Sequence, residues 1–325
     1  DLRVDEDVVP RENACNQVGV CAGTAPVCVS GAFVCRYGAS TYEAQESLCD
    51  GLDNDCNGKV DEAFVMLGAT CDAGVGACKA QGKLRCNSAG KGLICDAVPL
   101  NAGEETCNGK DDDCDGMVDE PKSTPGNNPS YVKDAVVKIR DDRWIYQYEA
   151  SRVDAEAQTQ GIINTRSCSR AGVLPWTNVT YTEADAACKS VNMTLCRVED
   201  WVLACEGNMG CGWSTAGSCG AYAAGSCNGH GADTQAGQAE TDVLKPSAAS
   251  AACYADFGNA GRVFDLSGNA KEWTVGNGSP DRNPLRGGSY NNGPEGLRCD
   301  FDFTLGAPDL RLPNVGFRCC ADAEP

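Results

Sequence analysis

Two stretches of the chain gather carboxylates at a spacing that suits a shared cation. CDGLDNDCNGKVDE, residues 49–62, returns 58 residues later as CNGKDDDCDGMVDE, residues 107–120. Acids this close repel one another, and such a run stays solvated and disordered unless a cation sits among them. In the first copy Asp53, Asp55 and Asn57 alternate, Gly58 permits a sharp bend, Lys59 offers a backbone carbonyl, and Asp61 and Glu62 follow. That is the D-x-D-x-[DN]-G opening of a calcium loop, which turns alternate oxygens toward one centre. The second copy supplies Asp111, Asp113, Asp115, the Met117 carbonyl, Asp119 and Glu120. An EF-hand would need a bidentate Glu at loop position twelve, where Phe64 and Lys122 stand. The acid comes two residues earlier, so the expectation is a shortened calcium loop closed by Glu62 or Glu120. Cys49 and Cys56, like Cys107 and Cys114, have one common offset that would let a disulfide staple each loop's entrance to its middle.

The elements that hold these loops must be cross-linked. Twenty-three cysteines accompany a single histidine in 325 residues, more than catalysis or zinc binding would use, so a disulfide framework and an extracellular or periplasmic location are expected. The sequence starts at Asp1 without an initiator Met or an apolar leader, as a mature secreted chain would, and no run of 18 apolar residues predicts a membrane span. A net charge of −19 argues against nucleic acid or an anionic lipid surface as partner. Residues 1–120 carry 22 acids against 9 bases, so most of that charge belongs to the repeat region.

Cys15, Cys21, Cys28, Cys35, Cys49 and Cys56 answer to Cys71, Cys78, Cys86, Cys95, Cys107 and Cys114, which divides this region into two imperfect units, 1–62 and 63–120. Each is Gly-rich and short of apolar periodicity, so disulfides and metal are expected to hold it; six cysteines allow fifteen pairings, and spacing selects none. PKSTPGNNPS, 121–130, reads as a linker. Beyond it RWIYQYEAS is strand-like, and YTEADAACKSV predicts a helix with Thr182 as N-cap and Ala186, Ala187 and Val191 on its apolar face. A second helix is expected from Arg197 through Glu206, and loops pinned by Cys211, Cys219 and Cys227 between 207 and 250.

The acidic units resemble the MopE-type metal-binding repeat of secreted bacterial proteins, on the C-D-G-x-D-N-D-C-x-G-x-V-D-E core. Copper, associated with that family's namesake, favours imidazole or sulfur; the oxygen-rich loops here favour calcium. Residues 131–325 resemble the formylglycine-generating enzyme family, an α+β fold related to C-type lectins, on PWTNVTYTEADAAC, TLCRVEDWVLAC, DLSGNAKEWT, LRGGSY and LRCDFDFTLGAPDLRLPNVGFRCC. In the family's oxidases two copper-binding cysteines follow the GGS-aromatic turn, but Asn292 and Leu297 occupy those positions here and supply no thiolate. What the resemblance does imply is a calcium site with Asp265 and Glu272 as side-chain ligands and Gly268 and Ala270 as carbonyl ligands. It further implies Cys188 paired with Cys319 or Cys320, and Cys205 with Cys299. Cys196 would then pair with Cys168 or with the spare member of Cys319/Cys320.

An odd cysteine count leaves one for an intermolecular bridge or a buried thiol. His230 reads as a solvated loop residue, and no G-x-S-x-G, Walker or H-E-x-x-H motif occurs. Asn178, Asn192 and Asn277 head glycosylation sequons, the weaker reading in a chain of bacterial resemblance. The expected protein is secreted, non-enzymatic and calcium-stabilised, structural or adhesive at a cell surface, and able to self-associate, with residues 1–10 as an arm that could dock on a neighbour. The alternatives are a glycan- or protein-binding module that uses Trp213, and an oxidoreductase with a relocated thiol pair.

Overall fold

A computed structural model describes residues 9–11, 14–119, 134–216, 219, 222–232, 242–276 and 281–325. Glu120, the 121–130 linker, residues 1–8 of the N-terminal arm and the Asn277 sequon lie outside the described residues. Two compact units form, Asp1–Ala102 with Asp113–Asp115 and Gly103–Asp112 with Gly116–Pro325.

In the first unit a hairpin of β1 (Pro26–Val29) and β2 (Ala32–Cys35) precedes an antiparallel sheet of β3 (Thr70–Ala73), β4 (Ala80–Cys86) and β5 (Leu93–Cys95). Its strands alternate between half-buried and exposed positions, so no fully buried face develops. Among the described residues of this unit, every buried apolar side chain is a half-cystine: Cys15, Cys21, Cys49, Cys56 and Cys78. Burial of apolar area cannot offset the conformational entropy of such a segment, and cross-links take that role.

The cross-links follow a rule. Within each copy the first cysteine pairs with the fourth, Cys15–Cys35 and Cys71–Cys95, and the second with the sixth, Cys21–Cys56 and Cys78–Cys114. The fifth reaches forward: Cys49 pairs with Cys86 of the next copy, and Cys107 pairs with Cys168. The expected Cys49–Cys56 and Cys107–Cys114 staples are therefore corrected. The Cys49 amide donates to the Gly90 carbonyl at 2.7 Å, which seats it beside the β4–β5 turn, while Val20 donates to the Asp53 carbonyl at 3.0 Å and draws Cys56's segment toward Cys21. Eleven disulfides take up every cysteine except Cys28, which is exposed rather than buried.

The second unit opens with a hairpin of β6 (Val136–Arg140) and β7 (Arg143–Tyr146), onto which β17 (Cys319–Ala321) and then β10 (Thr194–Leu195) pair antiparallel. A second four-stranded sheet has the order β15 (Leu305–Gly306), β14 (Asn283–Arg286), β13 (Lys271–Trp273), β16 (Val315–Phe317), with β13 and β16 parallel. Two-stranded pairs of β8 (Ala150–Ser151) with β9 (Cys168–Ser169) and of β11 (Tyr254–Asp256) with β12 (Arg262–Phe264) complete the strands.

Helix α1 (Tyr181–Lys189) starts two residues earlier than expected because Thr180, not Thr182, is its N-cap: its hydroxyl accepts from the Glu183 amide, and the Glu183 carboxylate accepts from the Thr180 amide. Its buried face is Ala184, Ala187 and Cys188, with Val191 just beyond; Ala186 points outward. Helix α2 (Val198–Glu206) buries Trp201, Ala204 and Cys205. Trp273 is fully buried against Phe317, Leu285 and Val179, and Trp201 is fully buried as well. The resemblance's cross-links form as Cys188–Cys319, Cys196–Cys320 and Cys205–Cys299, joined by Cys211–Cys219 and Cys227–Cys253.

Near Cys107–Cys168 lies a buried polar knot. Asp134 accepts from the Tyr146 hydroxyl at 2.8 Å and the Ser169 amide at 3.1 Å, with the Arg166 guanidinium 3.5 Å away. Burial, opposed by the Arg166 charge, pushes the Asp134 carboxyl up to about 6. Unfolded, this group returns to its ordinary 3.8 and releases its proton first. Its contribution to stability is therefore full below about pH 4, falls as pH rises through 4 to 6, and is flat above. Asp134→Asn should remove that slope, which a shift of this size sets at on the order of 3 kcal/mol; urea midpoints measured between pH 3.5 and 7.5 check it.

Candidate metal centre

The first acidic loop is shaped by residues expected to be ligands. Asp53 accepts from the amides of Asn57 at 3.0 Å and Gly58 at 2.9 Å, and Asp61 from those of Asp50 at 3.0 Å and Gly51 at 3.1 Å. Both carboxylates are buried, and each ties distant parts of the loop together. Cys56 and Asp61 hold left-handed backbone angles, matched by Cys114 and Asp119 in the second copy, so both loops turn the same way. Asn57 accepts from the Lys59 amide through its Oδ1 and points its NH2 at Asp55 and Glu62. Lys59 itself is exposed.

Of the expected set, the structure brings Asp55 and Glu62 together and adds a residue from outside the motif. Oxygens of Glu46, Asp55 and Glu62 lie within 4.8 Å of one another. Glu46 is 5% exposed; one oxygen accepts from the Asn54 amide at 3.0 Å, while Oε1 is buried without a hydrogen-bond partner. Glu62 Oε2 and Asn54 Oδ1 are likewise buried and unpartnered. Burial pushes the Glu46 carboxyl up, and the charges of Glu62 and Asp55 add to that. Unmet oxygens beside crowded acids are the donor set of a hard cation. The missed signal was Glu46 itself, an acid three residues before the first loop cysteine.

In the second copy Asp119 accepts from Asn108 at 2.9 Å and Gly109 at 3.0 Å, Asp111 from Gly116 at 3.1 Å, and Glu105 from Asp112 at 2.6 Å and Asp119 at 3.0 Å. Glu105 thus takes the part that Glu46 plays toward Asn54. Asp113 is half-buried, whereas Asp115 and Met117 are exposed.

The third expected site is organised around an arginine. Arg318, fully buried, donates to both Glu272 oxygens at 3.0 to 3.2 Å and to the Tyr146 and Phe264 carbonyls. Glu272 Oε2 also accepts from Trp201 Nε1 at 2.7 Å. Its carboxylate is therefore committed to an ion pair that joins α2, β13 and the strand region around Arg318. Asp265 accepts from the Ala248 amide at 2.5 Å, and Glu149 from Ser247, Asn269 and the Ala270 amide. Glu149 escaped the sequence reading. Burial, with the charges of Asp265 and Glu272, holds its carboxyl well above the usual range, and burial pushes Asp265 up to about 7. One guanidinium, that of Arg318, faces all three acids. Gly268 is required for close approach: with φ +116°, a Cβ there would stand 2.4 Å from the Asn228 carbonyl.

Where the resemblance puts the oxidase thiolates, Asn292 Oδ1 accepts from the Ser289 amide and hydroxyl, and Leu297 is fully buried. Trp213 is clasped: its Nε1 donates to the Pro294 carbonyl at 2.8 Å and the Arg298 guanidinium covers its ring at 4.8 Å. His230 is exposed and pairs with Asp242 at 2.9 Å.

Residues 102–323 match the family model of the sulfatase-modifying factor enzyme 1-like domain, and residues 39–62 match a MopE-type metal-binding motif. No curated protein matches the chain. Similar solved structures include the Treponema denticola variable protein 1, at 13% identity over 60% of this chain and 92% of that one with a TM-score of 0.37. PvdO from Pseudomonas aeruginosa is 15% identical over 62% and 88%, with a TM-score of 0.39; CarF is 15% identical over 55% and 85%, with 0.36.

The ion pair makes its own prediction. Arg318→Met leaves Glu272 buried with its charge unmet and should cost about 3–5 kcal/mol, whereas Arg318→Met combined with Glu272→Met should recover much of that loss. Guanidinium unfolding of the three proteins checks it, and equal losses in the single and double variants would contradict the assignment.

Proposed function

The chain belongs to the family of the sulfatase-modifying factor enzyme 1-like domain, and from that premise we propose a secreted, non-enzymatic structural or adhesive protein whose repeats load calcium. The observation that carries the reading is the fate of the sulfur. Asn292 and Leu297 stand at the expected thiolate positions, and Cys299 is bonded to Cys205, so the family's copper-thiolate oxidation has no ligand pair to run on. Eleven disulfides and the MopE-type motif point to an extracellular or periplasmic setting.

Carboxylate and amide oxygens at Glu46, Asp55, Glu62 and Asn54, with no imidazole in the loop, favour a hard divalent ion over copper. Calcium would neutralise acids that otherwise repel, and a hundredfold excess over Kd would add about 2.7 kcal/mol per site to units that have little core of their own. Rigid, cross-linked units of this kind suit contact with a second copy or with another surface molecule.

The test pairs two measurements on the purified chain. Oxygen uptake with a cysteine-containing peptide and added copper should stay at the no-protein rate, and chelation of calcium should lower Tm and open the repeats to protease. Uptake that rises with copper loading would overturn the non-enzymatic reading, and a Tm indifferent to chelator would overturn the calcium reading.

A further inference from the structure

Within the reading that the repeats load a divalent cation, we infer that the first repeat's cation is held by Glu46, Asp55 and Glu62, and not by the alternating Asp53, Asp55, Asn57, Asp61 series. Asp53 and Asp61 each accept two backbone amides of the loop. Those bonds close the turn from four or more residues away, whereas the Asp55 carboxylate accepts from Asn57, two residues on, and neither Asp53 nor Asp61 joins the cluster of Glu46, Asp55 and Glu62 oxygens. Asn57 presents its NH2, not an oxygen, to Asp55 and Glu62, and so supplies the positive edge that a cation would supply more strongly.

Three features single out the Glu46 side of the loop. Its carboxylate oxygen meets those of Asp55 and Glu62 within 4.8 Å. Glu46 is 5% exposed, and its Oε1 has no partner; Glu62 Oε2 and the Oδ1 of fully buried Asn54 share that condition. A buried oxygen left unmet costs free energy unless a ligand meets it. A buried acid beside two others is also a place where a cation gains most, since water screens it least. Three carboxylates suit calcium, with water able to complete the shell.

This assignment separates two jobs that the motif merges. The aspartates at the loop's bend and exit fold it, while an acid upstream of the first loop cysteine helps to hold the ion. Because Glu46 precedes Cys49, cation binding would fasten residues 46–62 at a point the Cys49–Cys86 bridge does not reach.

The experiment is calcium titration calorimetry of the full chain, with elemental analysis after dialysis, for the wild type, Glu46→Gln, Glu62→Gln and Glu43→Gln. Glu43 is an acid of the same segment whose carboxylate accepts from the amide and hydroxyl of Ser47. Glu46→Gln and Glu62→Gln should each lose one calcium per chain, or bind it roughly tenfold or more weakly, with the far-UV spectrum and disulfide map of the wild type; Glu43→Gln should bind as the wild type does. Wild-type stoichiometry and affinity in Glu46→Gln, whatever Glu62→Gln does, would overturn this ligand set while leaving the calcium reading in place. A wild-type chain that takes up no divalent ion would remove both. If Glu46→Gln loses its fold with calcium present, Asp53→Asn decides the question: it keeps an oxygen acceptor for a loop amide and should bind calcium as the wild type does, whereas loss of the ion there would return the site to the alternating series.

Discussion

A segment whose buried apolar side chains are all half-cystines must be held together by bonds rather than by a core. That constraint governs the first hundred residues. Each copy is closed by a first-to-fourth and a second-to-sixth disulfide, and its fifth cysteine is sent forward, Cys49 to Cys86 and Cys107 to Cys168. The second unit keeps the same covalent habit but adds what the repeats lack: an apolar core, with Trp201 and Trp273 at 0% exposure.

Buried acid is handled in two ways. Where the backbone turns, Asp53, Asp61, Asp111 and Asp119 accept amide protons, and their charge is spread over dipoles that the loop needs satisfied anyway. Where acids meet, a positive group is required: Arg318 supplies it for Glu272, and in our account calcium does so for Glu46, Asp55 and Glu62. These environments explain how one chain can carry a charge of −19 and still fold acids inside.

The second unit was largely legible in the sequence because its motifs fix chain order, and the resemblance they carry implies which cysteines pair; Cys205–Cys299 and the use of Cys319 and Cys320 followed from it. The repeats were less so. An equal offset between Cys49 and Cys56 and between Cys107 and Cys114 looks like a local staple, yet a repeat can use the same offset to send one cysteine back and the other forward. Alternating aspartates pose a similar ambiguity, since amide acceptor and metal ligand call for the same residue at the same spacing. Nothing in the C-terminal motif marks Arg318 as special, although a charge between Phe317 and Cys319 has to find a buried partner, and Glu272 is it.

The central claim is that the chain's sulfur is committed to a forward-reaching cross-link framework and withheld from oxidation chemistry. Digestion of the native, alkylated protein without reduction, followed by mass spectrometry of the linked peptides, tests it most directly. The account predicts Cys49–Cys86, Cys107–Cys168 and Cys205–Cys299 as cross-linked peptides, each recovered without alkylation at those positions. Recovery of Cys49–Cys56 and Cys107–Cys114, or of Cys299 alkylated as a thiol, would contradict it.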